Sequence, residues 1–314
     1  MKLEPQFLLR PLPEIPGGAA PAVQVALEEG GGDPSLDFLR DLPGIWKGTG
    51  FNVIWRPNSA PGQDRFLELN LTTEVLEFSE GIGEIPNRGL LQGDIVMHGI
   101  TYMQKIADAN LNAGLHVEPG IWAIVPKTDN PEEPATVVRM ATIPHGTSLL
   151  AQGIGSRSAG GPNMPDTNIT PFRIGNPGQL FNFPESNLST PSDFRSPPAQ
   201  LVGITQAMVD NPNSVLKNAL QNQSITSTVT LDVSTASANP IVGGGTANTA
   251  FLQGTSVGGP NAVAVTASST FWIEKVAGQG GGPDFLQLQY TQLVLLNFNT
   301  LSWPHVSVAT LRKQ

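Results

Sequence analysis

The feature that most restricts this chain is a pattern repeated along it. Short runs of alternating apolar and polar residues are each closed by proline, glycine, asparagine or aspartate. Such runs span 45–55, 66–78, 95–106, 114–125, 136–143 and 149–153, with breaks such as Arg56-Pro57-Asn58, Ile85-Pro86-Asn87 and Asp129-Asn130-Pro131. The second run carries Leu67, Leu69 and Leu71. A period of two places them on one face of a strand, and that face is expected to be buried. Turn signals between successive runs predict a meander of antiparallel strands.

Further strands are expected at 225–233, near 263–273, at 285–298 and at 305–311. Helix is confined to a short turn at 35–40, capped by Ser35, and to 205–220. There Met208, Val209, Val215, Leu216 and Leu220 are apolar and Pro212 interrupts or kinks the helix. Gly 34 and Pro 28 in 314 residues rule out a fold built on long helices. About ten strands make the chain all-β, and closure into a barrel or stacking into a sandwich removes the exposed edges.

The organisation read from this pattern has an extended arm at 1–40 and a single barrel domain at 41–314. Within the domain, 154–200 is a long Pro/Gly/Asn-rich insertion, and 201–283 adds a helix and strands. The insertion holds isolated Phe172, Phe181, Phe183 and Phe194, which favours a loop pinned on the body. It would cover the barrel mouth, occupy the cavity or build an interface.

A net charge of −9 without a basic cluster argues against nucleic acid as partner. The absence of cysteine excludes disulfides, thiolate metal sites and cysteine nucleophiles. No secretory signal and no apolar run long enough to cross a membrane are seen, so the expectation is a soluble cytoplasmic protein with no membrane span. Ser256, in Gly254-Thr255-Ser256-Val257-Gly258, matches a nucleophile-elbow pattern. A turn follows it where a helix is needed, so it is set aside.

Three segments carry a resemblance. Gly44-Ile45-Trp46-Lys47-Gly48 opens the first strong strand. Leu115-His116-Val117-Glu118-Pro119-Gly120 lies two or three strands later. Pro304-His305-Val306-Ser307-Val308-Ala309-Thr310-Leu311-Arg312-Lys313 ends the chain. Their order resembles the nitrobindin-like haem-binding β-barrels, which are related to the calycins and fatty-acid-binding proteins. The resemblance covers about 41–153 and 284–313. It implies an antiparallel calycin-like β-barrel with His305 as the axial ligand of haem b. It also implies ferric haem chemistry with nitric oxide, or peroxynitrite isomerisation.

Beside that stands the plainer reading of each residue. A lone histidine is more often a hydrogen-bonded structural residue than a ligand. His116 and Glu118 share strand parity and read first as a structural pair, with a pocket role as the alternative. His98 faces either the pocket, as a cofactor-binding residue, or solvent. His145 sits in a turn and is either exposed or caps a barrel mouth. Trp46 and Arg312 are expected to pack together where the first and last strands meet.

Three functions follow: a haem protein, a haem-free carrier of an apolar small molecule, or an assembly protein. In the last, the uncharged 233–273 stretch would make subunit contacts in a homo-oligomer.

Overall fold

The computed structural model describes residues 32–62, 64–236, 243–255 and 260–314. Among them, ten long strands follow one another around a closed ring. They are β1 (Gly44–Pro57), β2 (Arg65–Phe78), β3 (Ile95–Asp108), β4 (Gly114–Val125), β5 (Thr136–Ile143), β6 (Thr147–Ala159), β7 (Ile225–Ser234), β8 (Val263–Val276), β9 (Phe285–Phe298) and β10 (Leu301–Lys313). Each pairs antiparallel with the next, and β10 returns to β1 with Trp46 opposite Lys313 and Ile54 opposite His305. The expected meander is therefore a closed antiparallel barrel, in which no long strand is left with a free edge.

Two short strands complete the wall where long neighbours part. Glu84–Asn87 runs along the start of β3, and Gly243–Asn248 takes over from β7 along the first half of β6. The uncharged stretch after Val233 is thus partly wall: Gly243–Asn248 and most of β8 belong to it.

Period two sorts each strand into an inner and an outer face. One end of the barrel is closed. A 3-10 helix at Pro34–Leu39 lies across it, capped by Asp33, whose carboxylate accepts from the Ser35 amide at 2.9 Å. The cap is Asp33 rather than Ser35, because only the residue ahead of the first turn can reach back to that amide. Leu36, Leu39 and Leu42 pack onto Trp46, Phe78, Ile100, Trp122, Val137, Leu231 and Phe271, which form the inner core.

A second core lies outside the wall. Phe51, Val53, Trp55, Leu67, Leu69, Trp303, Val306 and Val308 point away from the barrel interior. They are covered by 160–220, through Met164, Ile169, Val209, Leu216 and the rings of Phe181 and Phe183. The insertion therefore covers neither mouth nor cavity; it is a strap on the outer wall. Trp55 donates to the Ile169 carbonyl at 3.0 Å, and the 194–196 backbone pairs with Leu67 along the upper part of β2, where β3 has separated from it. The Arg195 guanidinium donates to the carbonyls of Glu185, Asn187 and Thr190, each at 2.9 Å, and knits the strap to itself.

The expected helix is two helices divided at Pro212: α1 (Gln206–Asp210) and α2 (Asn213–Ala219), anchored by buried Val209 and Leu216. Arg312 does not pack on Trp46. Its guanidinium lies over Phe285, 4.0 Å from the ring centre, while the Lys313 ammonium sits over Trp46 at 5.5 Å. Period two explains the exchange: Trp46 stands directly opposite Lys313 in the register, and Arg312 points the other way. Most of the 1–40 arm and the Ser256 motif lie outside the described residues. No helix among those described is long and apolar enough to cross a membrane.

Candidate functional site

The interior above the closed core is crossed by a polar layer. Glu118 on β4 is fully buried. Its Oε1 takes the Arg139 guanidinium from β5 at 2.5 Å and the Tyr102 hydroxyl from β3. Arg139 also donates to Ser269 at 2.9 Å and Gln292 at 2.6 Å, so one guanidinium ties β5 to β8 and β9. Burial works against charge on Glu118, but Arg139 and His116 outweigh it and bring its pKa down to about 2. Gly120 makes room for Tyr102: a side chain there would begin 2.4 Å from the phenol ring.

The second carboxylate of the layer behaves oppositely. Glu74 on β2 accepts from Tyr290 at 2.6 Å, Thr72 at 3.0 Å and Gln104 at 3.4 Å. None of these donors is a cation. Burial dominates and pushes its pKa up to about 7, the hydrogen bonds offsetting only part of the cost.

Over this layer, at the end away from the 3-10 helix, lies a cavity of about 330 Å³. Gln104, Tyr290 and Gln292 belong to its lining as well as to the polar layer. Ile54, Ile106, Ile143, Val294 and Leu296 give it apolar walls, and Leu252 of the short helix α3 (Ala250–Gln253) reaches in from the side. Arg56 and Glu68, paired at 2.8 Å, stand nearer the rim. The size is at the lower end of the range for small-molecule sites.

Three of the four histidines line this cavity. His305 comes from β10, His116 from β4 and His145 from the turn between β5 and β6. His116 and His145 stack with ring centres 5.6 Å apart, and His116 Nε2 lies 3.2 Å from Glu118 Oε2. His145 is thus at the cavity rather than free in a loop, and its pKa is lowered by burial and by the neighbouring His116. Nothing in the Pro144-His145-Gly146 turn distinguishes a cavity residue from an exposed one. Only the register of β5 against β4 brings them together.

His98 is elsewhere. It lies near the start of β3, opposite Ile124, at the end closed by the 3-10 helix, and it does not line the cavity.

His305 is held by a chain of amides. Its Nε2 lies 2.8 Å from Asn52 Oδ1, which also accepts from Ser307 at 2.8 Å. Asn52 is turned by donating to Asn70 at 3.3 Å, and Asn70 donates to Asp108 at 2.8 Å. The amide oxygen therefore accepts a hydrogen bond from Nε2–H of the neutral ring, which leaves the lone pair on Nδ1. Burial, with the charges of His116 and His145, lowers the His305 pKa to about 3, so the ring is neutral at ordinary pH.

A neutral, strand-borne imidazole in an apolar-walled cavity suits a haem-iron ligand in charge and protonation. The tautomer is the point of friction, since ligation through Nε2 requires the Asn52 contact to break. Among the described residues, no group of three or more histidine or acidic side chains gathers as a site for a free metal ion.

No family model matches the chain, and no curated protein matches it. Among solved structures, the crystal structure of Rv2717c from M. tuberculosis is similar at 13% identity, over 90% of this chain and 98% of that one, with a TM-score of 0.41. At that level of likeness, fold and site rest on this chain's own geometry.

Proposed function

We propose that the chain is a small-molecule-binding barrel whose cavity takes haem, with His305 as the iron ligand. One observation carries this reading: His305 is a half-buried imidazole on a strand, its pKa lowered to about 3, facing a cavity with apolar walls. The chain's own parts in such a site are definite. His305 would supply the lone pair, Ile54, Ile106, Val294 and Leu296 would exclude water, and Arg56 near the rim would have to share its charge between Glu68 and a ligand carboxylate. Bound haem would supply a Lewis-acidic iron, and the nitric oxide or peroxynitrite chemistry implied by the resemblance depends on it.

Titration of the purified protein with hemin tests the reading. A Soret band that His305→Ala strongly weakens is expected; an identical spectrum in the variant removes the ligand assignment.

A second reading rests on two observations of its own. The cavity is small, and Nε2 is occupied by Asn52. Both suit a haem-free carrier of an apolar small molecule. Extraction and mass spectrometry of the protein as purified separate the two, because a lipid or other apolar compound without porphyrin supports the carrier.

A further inference from the structure

His116 has a feature that iron ligation by His305 does not use. Its Nε2 faces a carboxylate that is fully buried and cannot move. Glu118 Oε1 is taken by Arg139 and Tyr102, and Oε2 is left for the imidazole at 3.2 Å. A carboxylate held ionised in this way fixes the proton of a neutral histidine on the nitrogen that faces it. That nitrogen is Nε2, so Nδ1 keeps its lone pair. Among the described residues no protein group engages Nδ1 of His116, and the ring lines the cavity.

The other charged groups around the cavity are already committed. Glu68 is paired with Arg56, Glu118 with Arg139, and Glu74 is surrounded by three hydrogen-bond donors. A ligand cation therefore finds no free carboxylate. An acid finds three imidazoles. His305 faces the amide oxygen of Asn52 at 2.8 Å, whereas His116 is backed by a carboxylate, Glu118, at 3.2 Å.

We infer that His116 is the proton acceptor for a weakly acidic ligand in this cavity, with Glu118 as the residue that orients its ring. The inference rests on the reading that the cavity holds a ligand, but not on haem. The step balances. The O–H bond of the ligand breaks, its proton joins Nδ1 of His116, and the electron pair stays on the ligand oxygen. The imidazolium keeps its Nε2–H on Glu118, whose own charge is met by Arg139. Two anions and two cations then alternate, ligand, His116, Glu118 and Arg139, with no net charge buried. The facing groups from the other strands are Tyr102, Glu74, Tyr290, His145, His305, Arg56 and Glu68. Glu74, pushed up to about 7, could hold the proton but lies beneath Gln104 and Tyr290 and does not line the cavity, and His145 and His305 are both biased against it.

The test uses the haem-free full chain and 4-nitrophenol, a one-ring weak acid whose phenolate has its own absorption band. It is run one unit below the pKa of the free phenol. The ionised-to-neutral ratio of the bound probe should be about tenfold that of the free probe, a shift of roughly one pKa unit that leaves about half of the bound probe as phenolate. His116→Gln should bind the probe as the neutral phenol, while His98→Gln, altered at the other end of the barrel, should behave as the wild type. A neutral bound phenol in the wild type, full ionisation in His116→Gln, or no binding overturns the inference. Nitrogen NMR of the ligand-free wild type gives a second check that needs no variant. A proton on Nε2 of His116 supports the assignment, and one on Nδ1 overturns it. A failed hemin titration with successful ionisation removes the haem reading and leaves this one standing.

Discussion

Glu118 and Glu74 are buried in the same layer of the barrel, and their pKa values are moved in opposite directions. The difference is the company each keeps: a guanidinium for Glu118, and only neutral donors for Glu74. Glu118→Gln should leave Arg139 buried without its counter-charge and destabilise the protein by about 3–5 kcal/mol, read from urea unfolding. A loss under 1 kcal/mol, about the value of an exposed pair, would mean that water reaches Arg139. Asn52→Ala removes the acceptor that holds His305 Nε2. If iron binds there, the variant should take up hemin at least as tightly as the wild type, while weaker uptake would show that Asn52 supports the ligand. At this scale the sequence was only partly legible. His305 stood out by its place in the last strand, although that strand begins at Leu301, four residues earlier than the alternation suggested. Glu74 did not, because a glutamate in an alternating strand ordinarily faces water.

The strand β2 shows why alternation alone can be read correctly and still misplaced. Leu67, Leu69 and Leu71 do share one face, and Leu67 and Leu69 are fully buried, but in the outer core beneath the strap. The barrel interior receives Glu68, Asn70, Thr72 and Glu74. Period two gives the face and not which side of the wall it meets; the aperiodic insertion that covers it left no sign of its docking site beyond its phenylalanines. The strap also yields a test. Leu216 of α2 is fully buried against the outer wall, so Leu216→Ala should cost about 2–5 kcal/mol in urea unfolding. Because α2 does not line the cavity, hemin or 4-nitrophenol binding should stay within about twofold of the wild type, a change under about 0.5 kcal/mol. Loss of binding with the fold intact would show that the strap shapes the site through the wall.

For the molecule as a whole, the buried carboxylates set a pH dependence. Glu274, on the outer face of β8, is also pushed up to about 7 by burial, relieved only in part by Gln287. In the folded state Glu74 and Glu274 hold protons that an unfolded chain would release above the ordinary carboxylate range. Their contribution is full below about pH 4.5 and is lost as pH rises through about 7. Glu118 and His305 act on the acid side, where stability declines as pH falls below their unfolded values toward about 2 and about 3. Unfolding free energy should therefore drop between about pH 6 and pH 8, and Glu74→Gln with Glu274→Gln should flatten that slope. A wild-type profile that is flat or rising over the interval would show that both carboxylates are ionised in the folded state. The all-β class and the order of the strands were legible from turn signals. The polar layer was not, since its members lie far apart in sequence and meet only through the closure of the ring.

That closure also imposes an order in time. β1 and β10, the first and last barrel strands in the chain, are neighbours in space, and β10 carries His305. During synthesis, strands β1 to β9 emerge while β1 still lacks one of its partners. No ligand that depends on His305 can be gripped until the last strand has left the ribosome and zipped against the first. Loading of the cavity thus waits for β10, and a chain that stalls before β10 carries an open edge along β1, the kind of exposed strand that invites aggregation.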